Sequence, residues 1–304
     1  MRARRVLIAP MDWGLGHATR CIPLINKFLH LNCEVFIAGS GLSLDLIKKE
    51  FPFLKWFSIT PYDPVYSASS SLVLKMAEQS VKFMITMQRE HRETERIVKG
   101  HNIDIVISDN RFVCWSSAAR SVFLTHQVNI ILPHGISWLK GVTDYLNHHQ
   151  IRKFSSCWVP DIPGEQALSG ILSASGNMKV RHIGWLSRFD PPGSSAVAKY
   201  EIAAILSGPE PQRSIIENKI LEQLRQANLK SIIVRGKSGG KRSMACPNIE
   251  MADLLSTREL QGVMEGSQII LCRSGYTTLM DLARLRKKAI LIPTPGQTEQ
   301  EYLA

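Results

Sequence analysis

Residues 269–304 read IILCRSGYTTLMDLARLRKKAILIPTPGQTEQEYLA, and the order of their parts decides the fold. Ile269, Ile270 and Leu271 have the length and branching of a buried strand. Ser274-Gly275 permits a tight turn, after which Thr278, Leu279, Leu282, Ala283 and Leu285 recur on one helical face. Lys287 and Lys288 close that helix, where cations suit its dipole. Residues 289–292 begin the next parallel strand, stopped by Pro293-Thr294-Pro295-Gly296. A strand, a small-residue turn and a helix start make an anion site, because the first helical amides have no intrahelical acceptor. Asp281, about one turn in, suits a ribose hydroxyl. A plainer alternative fits the same residues: Thr278-x-x-Asp281 as the capping box of a purely structural helix.

The same alternation appears at the N-terminus. Residues 6–10 predict a strand and residues 21–31 a helix, with the turn Met11-Asp12-Trp13-Gly14-Leu15-Gly16-His17 between them. Gly14-x-Gly16 lets the backbone approach a ligand. A dinucleotide fingerprint would add a third glycine and an acid after the second strand. Here Thr19 takes the glycine's place, and the strand at 35–38 ends in Gly39-Ser40, so that reading loses. His17 puts an imidazole at the mouth of a cleft, as a structural hydrogen-bonder or as a base. Two further strands, 103–107 and 122–124, end in Ser108-Asp109-Asn110-Arg111 and Thr125-His126-Gln127. Strand tips of this kind are where open α/β sheets bind ligands. Residues 69–98 read as a helix with a charged end; the apolar stretch 65–87, with Tyr62 and Tyr66, lines an acceptor cleft or packs in the core.

The chain has 304 residues, 44% of them hydrophobic, and a formal charge of +11. That is enough for two cores, and it favours anionic partners such as nucleotide diphosphates or an acidic membrane face. Basic residues are scattered without interleaved aromatics, which argues against nucleic acid. Six cysteines without a C-x-x-C pair suggest reduced thiols in a cytoplasmic protein. The apolar run after the basic start is too short for a signal peptide, and no stretch has transmembrane length, so membrane contact is expected to be peripheral. There is no Asp-x-Asp triplet and no His/Cys spacing suited to a metal; neither metal nor cofactor is expected. The strand–helix alternation predicts two Rossmann-like units, residues 1–184 and 201–304, joined by a Pro/Gly/Ser-rich linker at 185–200. The chain stops inside a predicted helix, so final helices are expected to be missing.

Taken together, CRSG at 272–275, the hydroxyl-rich helix start with its acid, the strand ending at Pro293 and Gln300-Glu301-Tyr302 resemble the donor half of the GT-B glycosyltransferases. Within them the likeness is to the MurG-like superfamily of bacterial peptidoglycan UDP-GlcNAc transferases. It touches both halves of the chain and is tight in the last segment. The resemblance implies a GT-B fold, two parallel-sheet domains facing a cleft. It implies transfer of a hexose or N-acetylhexosamine from a UDP-GlcNAc-like donor to an acceptor hydroxyl, inverting and metal-independent, in cell-envelope glycan synthesis. A lipid-linked or lipopolysaccharide-type acceptor at the inner membrane face goes with it. It assigns catalysis to His17, with Asp109 or His126 orienting it or standing in for it. Donor contacts fall to Arg188, Gly208, Arg273, Ser274, Gly275, Thr277, Thr278, Asp281, Gln297, Gln300 and Glu301. The acceptor side falls to Gly14, Gly16, Asn110 and Arg111. Leu254-Leu255 is where a base would stack. The loop at 207–213 departs from the family by carrying Pro209 and Pro211, which have no amide to offer a phosphate. Two other readings remain open: a UDP-sugar 2-epimerase, and a non-catalytic nucleotide-sugar-binding subunit.

Overall fold

β1 (Arg5–Pro10) is the centre of the first sheet, and its residues Val6 to Ala9 are wholly buried. It is followed by α1 (Leu15–His30), β2 (Glu34–Gly39), α2 (Gly41–Glu50), β3 (Lys55–Ser58), α3 (Leu72–His101), β4 (Ile105–Asp109) and β5 (Arg120–Leu124). Then come α4 (Lys140–Ile151), β6 (Ser156–Val159) and β7 (Val180–His182). The seven strands pair in parallel in the order β3-β2-β1-β4-β5-β6-β7. This computed structural model describes residues 2–61, 72–174, 176, 178–193, 198–208, 210–237 and 239–304, without the side chains of 72–83. The expectations for Tyr62, Tyr66, Pro209 and most of the apolar stretch 65–87 therefore lie outside the described residues.

The second sheet follows from β8 (Tyr200–Ile205), α5 (Gln212–Ala227), β9 (Ser231–Val234), β10 (Arg242–Cys246), β11 (Ile249–Ala252) and α6 (Thr257–Glu265). It is completed by β12 (Ser267–Cys272), α7 (Tyr276–Leu285), β13 (Ala289–Leu291) and α8 (Thr298–Leu303). Its order is β10-β11-β9-β8-β12-β13, parallel except for the β10–β11 hairpin. Both sheets reverse winding direction beside their first strand, between β1 and β4 in one and between β8 and β12 in the other. Such a switch point leaves a crevice at the strands' carboxyl ends. One crevice holds the turn before α1, the other the turn before α7.

Several local expectations are corrected. The start of α7 is not a capping box. Gly275 is its N-cap and no side chain caps it. A capping box is formed instead by Ser256 and Glu259, at the start of α6. Lys287 serves α6 as well, its Nζ donating to the carbonyls of Glu265 and Ser267 at 2.6 and 3.0 Å. Leu255 is 5% exposed inside the second core and Leu254 packs on the first, so neither is free to stack on a base. The hydrophobic dipeptide belongs to packing between the units.

Candidate active site

The two switch points face each other across one seam. Met11 donates its amide to the Asp109 carbonyl at 3.0 Å, joining the tips of β1 and β4. Ser43, on α2, holds the following turn by donating to the carbonyls of Met11 and Gly14 (3.1 and 3.0 Å). Gly14 sits at φ 83°, in the left-handed region that a side chain disfavours. The chain thus enters α1 with His17 on the first turn. Across the seam, Thr277 on the first turn of α7 donates to the Gly16 carbonyl at 3.1 Å. A Cβ on Gly16 would lie 3.2 Å from that hydroxyl oxygen, so the second glycine allows the two helix starts to abut.

Beneath this contact the first unit gathers His17, Asp109 and His126 around a residue the sequence reading missed, Arg20. Arg20 is 2% exposed, and Asp109 is wholly buried. Arg20 Nε lies 3.0 Å from each carboxylate oxygen, and Nη2 also donates to Asp109. His17 Nδ1 stands 3.1 Å from Asp109 Oδ2 and 2.8 Å from Arg20 Nη2. His126 Nδ1 is 3.1 Å from Arg20 Nη1, and its ring stacks on Tyr276 at 4.2 Å. Burial alone would raise the Asp109 carboxyl, but Arg20 and then His17 outweigh it and hold it at about 2. His17 is pushed below the ordinary imidazole range by burial and then by Arg20, against the pull of Asp109. The result is a base that stays neutral at physiological pH beside a carboxylate that stays charged. Arg20 sits one helical turn after His17, and that spacing is the signal that would have found it.

The other acceptor-side assignments separate. Asn110, at φ 60°, accepts the Thr125 hydroxyl at 2.9 Å and ties the β4 and β5 tips together. Arg111 is corrected: it is wholly buried, donating to the Pro10 carbonyl and to Glu90 at 2.8 Å each, beneath the site rather than facing an acceptor. A guanidinium with an internal carboxylate partner gains nothing by turning outward.

On the donor side, the corner taken as an open phosphate site is closed in this structure. Ser274 is wholly buried and its hydroxyl donates to the Gln300 carbonyl at 2.7 Å. Arg273 is also buried: it donates to the carbonyls of Pro293 and Gln212 (2.8 and 3.2 Å), bracing strand ends, while its Nε has no partner among the described residues. Gln300 accepts from the Thr294 amide at 2.9 Å and donates to Gln297 at 2.5 Å, so both glutamines serve their own loop. Glu301 is exposed and accepts from the Gly296 amide at 3.3 Å. Gly208, at φ 105°, lies in the turn after β8. Thr278 lies half-buried on the first turn of α7 with Thr277. The closure comes from packing: Tyr276 and Met280 of α7 join the core of the first unit, and Tyr276 donates to the Pro160 carbonyl at 2.9 Å.

Two further polar groups in that corner are poorly served. Asp281 is 7% exposed and accepts one hydroxyl, that of Ser187 in the linker, at 2.5 Å. Burial drives its carboxyl up to about 6, against the opposing pull of Arg188. Arg188 has Nε and Nη1 buried with no partner among the described residues, and burial lowers its own pKa. A buried, unsatisfied guanidinium is costly and marks a place where an anion would be welcome. Among the described residues no group of His, Cys, Asp and Glu is arranged to hold a metal ion.

Residues 204–304 match the family model described as the glycosyltransferase family 28 C-terminal domain. No curated protein matches the chain. Among solved structures, the spinosyn rhamnosyltransferase SpnG complexed with thymidine diphosphate aligns over 98% of this chain and 83% of its own, with TM-score 0.64 at 14% identity. SsfS6 from Streptomyces sp. SF2575, also with thymidine diphosphate, aligns over 99% and 85% with TM-score 0.61 at 11% identity. MurG from Acinetobacter baumannii aligns over 99% and 82% with TM-score 0.52 at 11% identity. Identities this low establish shared architecture, and the family match covers the last third of the chain. The chain has the fold of the GT-B glycosyltransferases, and its residues 204–304 match the glycosyltransferase family 28 C-terminal domain.

Proposed function

We propose that the protein transfers a hexose or N-acetylhexosamine from a UDP-GlcNAc-like donor to an acceptor hydroxyl, with inversion and without a divalent cation. The observation that carries this reading is the placement of His17, paired with Asp109, on a helix start that abuts the start of α7 across the seam. A neutral imidazole there removes the acceptor proton, and the buried carboxylate stabilises the imidazolium that forms. The unpaired N–H groups of Arg188 and the uncapped amides of α7 meet the diphosphate, and Asp281 meets the ribose. Because Asp281 now holds Ser187 and Ser274 is buried, donor entry requires the seam to part at the linker 185–200.

A lipid-linked acceptor at the inner face of the membrane, in cell-envelope glycan synthesis, fits a second feature. α4 turns its polar side inward: Asn147 donates to the Val128 carbonyl at 2.8 Å and Asp144 accepts the Ile130 amide at 3.0 Å. Its outer side, with the turn before it, exposes Trp138, Val142, Tyr145 and Leu146 beside Lys140 and Lys153. An apolar stripe with aromatic and basic flanks suits an acyl chain or an anionic bilayer surface. No helix among the described residues is long and apolar enough to cross a membrane.

Release of nucleoside diphosphate from UDP-, GDP- and dTDP-sugars, with and without lipid-linked sugar acceptors and with excess chelator, tests the reading. Acceptor-dependent release from a UDP-hexosamine, unaffected by chelator, is expected. Conversion of the UDP-sugar to its 2-epimer, or inertness toward every donor, would replace transfer by one of the other readings.

A further inference from the structure

The surroundings of Arg20 decide something that distances between heavy atoms leave open elsewhere, namely which nitrogen of a histidine carries its proton. A guanidinium has five N–H donors and no acceptor. A ring nitrogen that faces it with no carboxylate in reach must therefore offer a lone pair. His126 Nδ1 faces Arg20 Nη1 at 3.1 Å. Its proton then belongs on Nε2, which lies 2.7 Å from Glu299 Oε1 of α8, in the second unit. Gln127 donates its side-chain amide to the other oxygen of the same carboxylate.

We propose that Arg20 is a positioning residue of the transfer site: by occupying His126 Nδ1 it makes His126 a hydrogen-bond donor toward the seam, so that His126 and Gln127 form a two-donor fork for a ligand oxygen. Glu299 fills that fork while the seam is closed. When the units part, the fork is left facing the crevice, where an acceptor or donor oxygen takes the place of the carboxylate. His126 Nε2 thereby carries a proton and is no base toward the crevice, whereas Arg20 alone does not fix the tautomer of His17. Its Nδ1 has both Arg20 and Asp109 within reach, whereas His126 Nδ1 has Arg20. The charged and titratable groups around the cluster are Asp109 from β4, Glu299 from α8, Tyr276 from α7, and Cys21 and His17 from α1 itself. The use of the fork in turnover rests on the transfer reading above; the tautomer does not.

Long-range 15N–1H correlation spectra of the ligand-free protein at neutral pH report the tautomer without turnover. Wild type is expected to show His126 with a bare Nδ1 and a protonated Nε2. Arg20→Lys retains a cation for Asp109 but, with a single point of attachment, does not serve Nδ1 as well. Its His126 Nδ1 resonance is expected to shift toward the protonated range as the two tautomers mix. Arg20→Met/Asp109→Asn, which removes both charges and so leaves no buried ion unpaired, is expected to show the same shift if Arg20→Lys fails to fold. Glu299→Gln is expected to leave the tautomer as in wild type. A wild-type His126 protonated on Nδ1, variants of Arg20 with unchanged spectra, or release of the tautomer by Glu299→Gln would each overturn the assignment. A fixed tautomer together with no sugar transfer would instead overturn the transfer reading and leave the role of Arg20 in place.

Discussion

The corners that meet at the seam are built on the same strand–turn–helix plan and are finished in opposite ways. At the start of α1 the charges are paired: Asp109 holds Arg20 and His17, and Arg20 reaches His126. At the start of α7 they are not: Asp281 is served by the Ser187 hydroxyl and the Arg188 backbone amide, and the Arg188 side chain has two buried donors unused. Burial acts on both carboxylates in the same direction, yet one ends at about 2 and the other at about 6. The difference is a guanidinium in hydrogen-bond contact in the first case and one held further off in the second. A preassembled corner suits a base that must be neutral at the start of each turnover. An underpaired corner suits a site that a charged ligand completes.

The largest effect expected from this contrast is at Asp109. Asp109→Ala leaves Arg20 as an unpaired buried cation, which costs about 3–5 kcal/mol of stability. Urea unfolding reads that loss, and the remaining folded enzyme is expected to transfer sugar at least about a thousandfold more slowly. His17→Ala separates chemistry from scaffold. Its kcat is expected to fall by about 10² to 10⁴-fold, while UDP binding persists. Full activity in His17→Ala would move the base elsewhere.

Asp281 should behave in the opposite sense to Asp109. An unfolded chain ionises Asp281 near 3.8 and the folded chain near 6. Between those values the folded state binds more protons, so stability falls as pH rises through the window and the deficit is complete above it. For Asp109 the folded value lies below the unfolded one, so its contribution is present above about 4 and is lost as pH falls toward 2. Asp281→Asn is therefore expected to stabilise the ligand-free protein at pH 7.5, by at most about 3 kcal/mol, and to have little effect at pH 3.5. Thermal unfolding at the two pH values checks it; an equal change at both would break the contrast. The smallest effect lies away from the seam. Ser256→Ala removes the capping box of α6, with an expected loss of about 1 kcal/mol and unchanged donor affinity.

The alternation of strands and helices was legible because buried parallel strands are short apolar runs, and residues 6–10, 35–38, 103–107 and 122–124 are unambiguous examples. The β10–β11 hairpin was not, since Arg242, Ser243 and Met244 are exposed and carry no apolar signal. At the site, His17, Asp109 and His126 could be named because each sits at a strand tip or the helix start that follows one. Their convergence on Arg20 could not be seen: an arginine within a helix reads as a surface charge until the fold shows it 2% exposed. Arg111 misled for the same reason, since the sequence shows a cation beside a strand end without showing which way it turns. The closed state of the α7 corner depends on contacts across the two units, from Gly16 to Thr277 and from Ser187 to Asp281. No local pattern encodes those.

Calorimetric titration of UDP into wild type, His17→Ala and Asp281→Asn tests most directly whether the underpaired corner is the donor site. Comparable affinity in wild type and His17→Ala, with a loss of about tenfold or more in Asp281→Asn, is the predicted result. Undiminished binding by Asp281→Asn, or no binding by wild type, would contradict it.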